Sequence, residues 1–401
     1  PVVFMPFLEP EKLVGVLDRF QPVSVRVAPE RCLNRRHKDS KCALCLACPT
    51  GAVTAAAMSV QVSAEKCVGC GLCASVCPTE AFSVQGPALA EVLRLSAGGR
   101  GAVVEVACPQ RSPLEKSRSS AGAVLRLSCL AWLSPSLLVA MLAQGITGLW
   151  LDDTSCTGCP IGSAHETIGR AVDTANRLLA LFGRPPAIAL YTGSPERLGK
   201  QRDLEVWDPL RPVYSRRDLF TAFRKVATQA AVTVADQAMP APPPAKLERH
   251  LPVQRALLSA ALPRLLVEGA PPGSVSGLPV GKIEVSEACT ACGLCARLCP
   301  SGALVFAQSQ GEYSLTLSVP KCLGEACRLC RLICPVQAVG FAEPVSPADL
   351  VAEAPLTLRA GRIMACSRCG APMAAPADGQ AVCHACQWTK RFSADGQGRL
   401  A

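Results

Sequence analysis

Four cysteines with short, regular gaps lie between residues 67 and 78, in the order Cys67-x-x-Cys70-x-x-Cys73-x-x-x-Cys77-Pro78. Three thiolates separated by two residues can hold three corners of a cubane iron–sulfur cluster, and the fourth, followed by proline, points towards a neighbouring cluster. The stretch therefore predicts a [4Fe–4S] site with a second cysteine run close by.

The end of this run is repeated along the chain. The pattern Cys-Pro-x-x-Ala followed by an apolar residue begins at Cys48, Cys77, Cys299 and Cys334. Because a recurring pattern of this kind marks duplicated structural units, the four copies predict two pairs of cluster-binding half-motifs.

On these residues, segments 20–86 and 281–345 each resemble a bacterial-type ferredoxin domain that binds two [4Fe–4S] clusters. The resemblance implies crossed ligation, in which a cluster takes three cysteines from one run and the fourth from the other. For the second segment the implied ligand sets are Cys289, Cys292, Cys295 and Cys334 for one cluster, and Cys322, Cys327, Cys330 and Cys299 for the other. A zinc site is the alternative interpretation of these cysteines.

The first segment departs from the family spacing, since nine residues separate Cys32 from Cys42 and only two separate Cys45 from Cys48. Cys48 is taken as a fourth ligand because Pro49 follows it. The implied ligand sets are then Cys32, Cys42, Cys45 and Cys77, and Cys67, Cys70, Cys73 and Cys48. In a rival interpretation, Cys42, Cys45 and Cys48 are the first three ligands of a run, and Ala52 stands where the fourth would fall.

Residues 87–195 have the periodicity of an α/β module. Strands are predicted over 103–107, 123–128, 147–151 and 187–190, with helices over 135–144 and 161–181. Cysteines follow the first three strands: Cys108, Cys129, and the pair Cys156 and Cys159. Because open α/β sheets place ligands beyond the carboxyl ends of their strands, these thiols are candidate ligands.

The stretches Leu125–Cys129, Gly145–Leu151 and Cys156-Thr-Gly-Cys159 are similar to the small iron–sulfur (delta) subunit of the methyl-viologen-reducing hydrogenase that feeds heterodisulfide reductase. The resemblance implies a further cluster, commonly [2Fe–2S], held by four thiolates. Two alternatives stay open. The cysteines can be buried structural residues, or Cys156 and Cys159 can form a thioredoxin-like redox dithiol.

Near the chain's end, Cys366-x-x-Cys369 and Cys383-x-x-Cys386 resemble the two knuckles of a zinc ribbon. Four thiolates arranged tetrahedrally suit Zn²⁺, although rubredoxin-like iron fits the same ligands. A domain this small needs the metal in order to fold, so we expect its role to be structural.

The formal net charge of +10 does not indicate a nucleic-acid partner once the thiolates are counted. Six four-thiolate sites of about −2 each would bring the metal-loaded chain to roughly −2.

The uncharged run Cys129–Leu151 is predicted to form a buried helix and strand instead of a membrane span. Residues 1–20 lack the pattern of a secretory signal peptide, so we expect a reducing, cytoplasmic compartment.

We therefore predict a multi-domain α+β and α/β protein: an N-terminal ferredoxin-like domain (1–86), an α/β iron–sulfur module (87–195), a Pro-rich linker with helices (196–280), a second ferredoxin-like domain (281–345) and a zinc-ribbon-like tail (346–401). These assignments use all 24 cysteines and leave none for nucleophilic catalysis. No dinucleotide or phosphate-binding motif is present.

The expected function is electron transfer within a larger redox complex. The partner subunits would be a hydrogenase, a formate dehydrogenase, a heterodisulfide-reductase-like enzyme, or a tungsten- or molybdenum-dependent oxidoreductase. A ferredoxin-fed thiol–disulfide reductase that uses Cys156 and Cys159, and a scaffold whose clusters serve only folding, are the competing interpretations.

Overall fold

A computed structural model of the chain describes residues 25–56, 59–84, 89–110, 116–117, 121–192, 202–203, 205–209, 249–375 and 381–387. Within these ranges the protein is a mixed α/β structure built from a series of small sheets and one larger parallel sheet. Much of the predicted linker, residues 210–248, lies outside the described residues.

The first cysteine-rich region folds around two antiparallel strand pairs. Its strands are β1 (Val25–Val27) with β4 (Phe82–Val84), and β2 (Val53–Ala56) with β3 (Ser59–Val62). Its short helices are α1 (Leu33–Arg36) and α2 (Leu72–Val76). The residues that follow the Cys-Pro pairs, such as Val53, Ala81 and Phe82, form the small core, so each repeat contributes its apolar end to packing.

The central module is a five-stranded parallel sheet flanked by helices. In chain order its elements are α3 (Leu89–Gly98), β5 (Val103–Ala107), β6 (Lys116–Ser117), β7 (Ala123–Arg126), α4 (Pro135–Leu142), β8 (Gly148–Leu151), α5 (His165–Leu181), β9 (Ile188–Leu190), β10 (Arg202–Asp203) and β11 (Glu205–Trp207). The sheet order is β11-β7-β5-β8-β9, and β6 pairs separately with β10. Because every strand of the five-stranded sheet runs in the same direction, all the carboxyl ends lie at one edge.

The uncharged run between Cys129 and Leu151 forms α4 and β8, as the sequence predicts. Ser134 caps the helix: its Oγ accepts a hydrogen bond from the Leu137 N–H at 3.2 Å, and Pro135 takes the first helical position. The helix has eight residues and is buried almost all round. Among the described residues, no helix combines the length and the apolar character that crossing a membrane requires.

After the linker comes α6 (Val253–Leu265), followed by the second cysteine-rich region. This region contains β12 (Ile283–Val285), α7 (Leu294–Arg297), β13 (Leu304–Ser309), β14 (Glu312–Leu317), α8 (Leu329–Leu332), β15 (Val339–Phe341), α9 (Pro347–Val351), β16 (Leu356–Ala365) and β17 (Pro372–Ala374). β12 pairs with β15, and the other strands form one sheet in the order β13-β14-β16-β17. β16 therefore continues the β13–β14 hairpin into the C-terminal segment.

One hydrophobic core runs through the central module, α6 and the second cysteine-rich region. It contains Leu137 of α4, Leu258 and Leu262 of α6, and Leu317 of β14. Within the predicted linker, β11 adds an edge strand to the central sheet and α6 packs against α4. The described ends of that segment are thus structural parts of the core.

Polar contacts attach the start of α6 to both cysteine-rich regions. The Glu80 carboxylate accepts hydrogen bonds from the Val253 N–H at 3.1 Å and lies 2.7 Å from His250 Nε2. The His250 N–H donates to the Pro300 carbonyl at 2.8 Å. Since Glu80 follows Cys77 and Pro300 follows Cys299, this segment bridges the two fourth-cysteine loops.

Truncating Leu258 to alanine tests whether α6 is a core element. Leu258 is fully buried, so its loss is expected to lower the free energy of unfolding by about 2–5 kcal/mol. Val253→Ala, on the exposed side of the same helix, is the matched control and is expected to change it by no more than about 0.5 kcal/mol. Denaturant unfolding under anaerobic conditions measures both, and equal effects would contradict the packing of α6.

Candidate metal centres

Sixteen cysteines line four separate cavities, with four cysteines in each. The four quartets are Cys32, Cys42, Cys45 and Cys77; Cys48, Cys67, Cys70 and Cys73; Cys299, Cys322, Cys327 and Cys330; and Cys289, Cys292, Cys295 and Cys334. Each cavity combines three cysteines of one run with the Pro-flanked cysteine of the other. Cys48 shares a cavity with Cys67, Cys70 and Cys73, and Cys32 lies with Cys42 and Cys45.

In three of the four runs, the residue after the second cysteine has left-handed backbone and starts the short helix that carries the third cysteine. Gly71 (φ 82°) and Gly293 (φ 67°) have this conformation, which costs a glycine little. Glycine also avoids steric clashes at these positions. A Cβ on Gly71 would lie 2.5 Å from Trp132 Cδ1, and one on Gly293 would lie 2.9 Å from Phe306 Cδ1. In the fourth run Arg328 occupies the corresponding place with φ 38°.

Burial makes several of these thiols hard to ionise on their own. Burial, with neighbouring thiolates, raises the pKa of Cys45 to about 11 and the pKa values of Cys73, Cys295 and Cys327 to about 12. Metal ligation needs the thiolate form. The cavities therefore favour an occupant whose positive charge compensates four sulfur anions, and the iron of an iron–sulfur core supplies it.

Backbone amides also approach the Pro-flanked sulfurs. The Ala81 N–H donates to Cys77 Sγ at 3.3 Å, and the Ala338 N–H donates to Cys334 Sγ at 3.2 Å. Although burial opposes it, the Thr50 hydroxyl and nearby backbone N–H groups lower the pKa of Cys48. Hydrogen bonds to ligating sulfur stabilise negative charge there and tune the reduction potential of a bound cluster.

The central module brings its four cysteines together at the carboxyl edge of the sheet. Burial comes first among the causes that raise the pKa of Cys129 to about 11, followed by the thiols of Cys70, Cys108 and Cys159. The pKa of Cys156 is raised to about 12 by burial and then by Cys108 and Cys129. The four thiols are thus neighbours of one another, and Cys70 of the first region is near enough to raise the pKa of Cys129.

A hydrogen-bonded carboxylate lies beside this group, which the sequence reasoning missed. Asp153 is fully buried, and its carboxylate lies 2.7 Å from His165 Nε2 and accepts from the Thr192 N–H at 2.9 Å. Although burial opposes it, these hydrogen bonds lower the pKa of Asp153. The Asp152-Asp153 pair at a strand end was the available signal, because buried carboxylates at such edges usually have a partner.

The C-terminal cysteines have a different and tighter geometry. The sulfur atoms of Cys366, Cys369, Cys383 and Cys386 all lie within 4.8 Å of one another, and no other group of potential ligands among the described residues is this compact. Zn–S bonds of about 2.3 Å at tetrahedral angles place sulfurs about 3.8 Å apart. The spacing suits one metal ion and not a cubane.

Backbone donors prepare one of these thiols for ligation. The Cys383 N–H, at 3.2 Å, and the Arg368 N–H, at 3.4 Å, point at Cys366 Sγ. They lower the pKa of Cys366 to about 6, the Cys383 N–H contributing most. These hydrogen bonds therefore favour the thiolate form of Cys366.

Comparison with known proteins is most informative for the two cysteine-rich regions. Residues 60–83 match the 4Fe-4S binding domain family, and residues 288–338 match the 4Fe-4S dicluster domain family. The chain carries two ferredoxin-type 4Fe–4S domains. An iron–sulfur protein of Rhodospirillum rubrum is 40% identical over 63 residues, which are 16% of this chain and 31% of that relative. The chain spans less than a third of that protein, and the matches support an electron-transfer role.

Replacing Cys32 distinguishes the two ligand assignments of the first domain. We expect Cys32→Ser to lose about four irons per chain, the content of one cubane, because Cys32 lines a cavity with Cys42, Cys45 and Cys77. Iron and acid-labile sulfide are counted after anaerobic purification. Leu46→Ser, exposed in the same loop and outside the lining of this cavity, is the control. An unchanged iron content in Cys32→Ser would favour the rival assignment.

Replacing Cys369 tests the single-metal geometry. We expect Cys369→Ser to lose one zinc per chain while the iron content stays unchanged, since a compact four-thiolate site cannot spare a ligand. Mass spectrometry of the metals measures both, and Ser367→Ala, between two ligands, serves as control. Loss of one iron instead of zinc would identify a rubredoxin-like centre.

Proposed function

We propose that the chain is a multi-cluster electron-transfer subunit of a larger redox complex. The observation that carries this proposal is the gathering of sixteen cysteines into four crossed quartets, each lining its own cavity. Each quartet would hold one [4Fe–4S] cluster. The functional residues are then the cluster ligands, and catalysis belongs to partner subunits.

The proximity of neighbouring quartets supports an order for the clusters. Cys129 of the central module is near Cys70, and Cys42 is near Arg328, which lies between Cys327 and Cys330. Leu33 of the first domain packs with Leu323, Cys327 and Leu329 of the second. Since electron tunnelling falls steeply with distance, the proposed route runs from the central module through the Cys67 quartet, the Cys32 quartet and the Cys322 quartet to the Cys289 quartet.

In the central module, Cys108, Cys129, Cys156 and Cys159 would hold a [2Fe–2S] cluster or a related one. A redox dithiol at Cys156 and Cys159 is less well supported, because such a thiol needs a lowered pKa, whereas burial and neighbouring thiolates raise the pKa of Cys156 to about 12. The positive charge of a metal core would lower the pKa of Cys156 and favour its thiolate form.

The C-terminal quartet would hold structural zinc. Support comes from its compact spacing and from its attachment to the second ferredoxin-type domain, since β16 pairs with β14 and the Ala374 N–H donates to the Thr290 carbonyl at 3.0 Å. Thr290 follows Cys289. The zinc segment would thus brace the loop around the last cluster.

The partner would dock near a cluster that reaches the surface. Cys292 is exposed, so the Cys289 quartet could exchange electrons with a partner. Candidate partners are a hydrogenase, a formate dehydrogenase, a heterodisulfide-reductase-like enzyme, or a tungsten- or molybdenum-dependent oxidoreductase, in a reducing, cytoplasmic setting.

Counting electrons tests the function. We expect the anaerobically purified chain to contain about 18 irons and to take up about five electrons from dithionite, one for each cluster. Cys159→Ser is expected to lose about two irons and one electron, and Thr157→Ala, between the two cysteines of the same loop, should lose neither.

Three other outcomes would change the proposal. A titratable dithiol in place of a fifth cluster would favour the reductase alternative. Clusters that take up no electrons would favour a scaffold. Fewer than about 12 irons would mean that one ferredoxin pair is misassigned.

A further inference from the structure

A fully buried arginine from α6 lies beside the Cys322 quartet, although α6 is outside the ferredoxin-type domain. Arg255 is 3% exposed, and its guanidinium donates to the Pro279 carbonyl at 3.0 Å and to the Val319 carbonyl at 3.2 Å. The Val319 carbonyl also accepts from the Cys322 N–H at 3.0 Å. One carbonyl thus joins the cation to a cluster-ligand candidate.

No carboxylate of the described residues pairs with Arg255, and its buried Nε has no hydrogen-bond partner among them. Burial lowers its pKa to about 10, with the Cys322 thiolate opposing that shift, so the group is charged at neutral pH. An isolated buried charge is costly unless an opposite charge compensates it. Among the described residues, the negative charge that acts on Arg255 is that of Cys322 in the quartet.

A second arginine lies near the same quartet. Arg36, at the end of α1 in the first domain, is 7% exposed and lies near Cys327 and Cys299, whose charges oppose the lowering of its pKa by burial. Elsewhere the arginines near quartets are less enclosed: Arg328 near Cys42 is exposed, and Arg359 near Cys289 is partly exposed. Among the described residues the Cys322 quartet is the one flanked by two buried cations.

We propose that Arg255 sets the reduction potential of the cluster at Cys299, Cys322, Cys327 and Cys330 and makes it the most easily reduced of the four. The inference rests on the proposed function. Reduction adds one electron to a [4Fe–4S]²⁺ core and gives [4Fe–4S]⁺, so the site gains one negative charge. A fixed neighbouring cation stabilises the reduced form, and burial keeps the interaction from being screened. Electrons entering the chain would collect at the junction between the two domains.

Redox titration of the full chain, loaded with its clusters and followed by EPR with dithionite as the electron donor, tests this. Arg255→Met removes the charge and is expected to lower the equilibrium constant for reduction of one cluster at least tenfold, a shift of 59 mV for a one-electron couple. Arg255→Lys keeps the charge and should stay within about threefold of the parent. Arg264→Met, on the exposed face of the same helix, should change nothing.

The shifted signal should be the one that Cys330→Ser lacks. Four unchanged potentials in Arg255→Met at full iron content would overturn the inference, as would an equal shift in Arg255→Lys, which would indicate hydrogen bonding instead of charge. If Arg255→Met loses iron, Arg36→Met carries the test, with a shift of the same cluster in the same direction. Iron loss from both would assign a structural role and overturn the inference. A parent chain whose clusters take up no electrons would instead refute the proposed function.

Discussion

Negative charge on buried sulfur is the constraint on which this structure depends. Burial raises the pKa of many of the gathered thiols, Cys73, Cys295 and Cys327 among them, and so disfavours the thiolate form that metal ligation needs. Three kinds of positive charge can compensate the sulfur anions. Iron cores would fill the cavities, backbone N–H groups approach Cys77 and Cys334, and buried guanidinium groups flank Cys322 and Cys327.

Local patterns were enough to predict much of this architecture. The cysteine spacing predicted ferredoxin-type domains, which the family matches confirm. The strand predicted over 103–107 is β5, and the helix predicted over 135–144 is α4, because periodicity depends on neighbours in sequence. Helices were expected in the linker, but the surroundings of α6 were not. Pro252 precedes the first turn of α6, and Pro263 lies inside the helix near its end.

What the sequence did not indicate are the contacts between distant segments. The Glu80, His250 and Pro300 bridge joins residues up to 220 positions apart, and no local periodicity specifies such partners. Arg255 lies in the predicted Pro-rich linker, and only its burial and its hydrogen bond to the Val319 carbonyl distinguish it. Asp153 was visible at a strand end, yet its partners His165 and Thr192 lie on separate elements. These pairs depend on tertiary packing, which brings separate elements together.

The contact between Gly71 and Trp132 has an evolutionary consequence. The indole fills the place where any larger residue at position 71 would put its Cβ, and the neighbouring Ser75 hydroxyl donates to the Ala131 carbonyl at 2.8 Å. Positions 71 and 132 can therefore change only as a pair. A ferredoxin domain transplanted from another protein would need both a glycine and a matching surface here. The first ferredoxin-type domain and the central module are therefore fitted to each other at this contact.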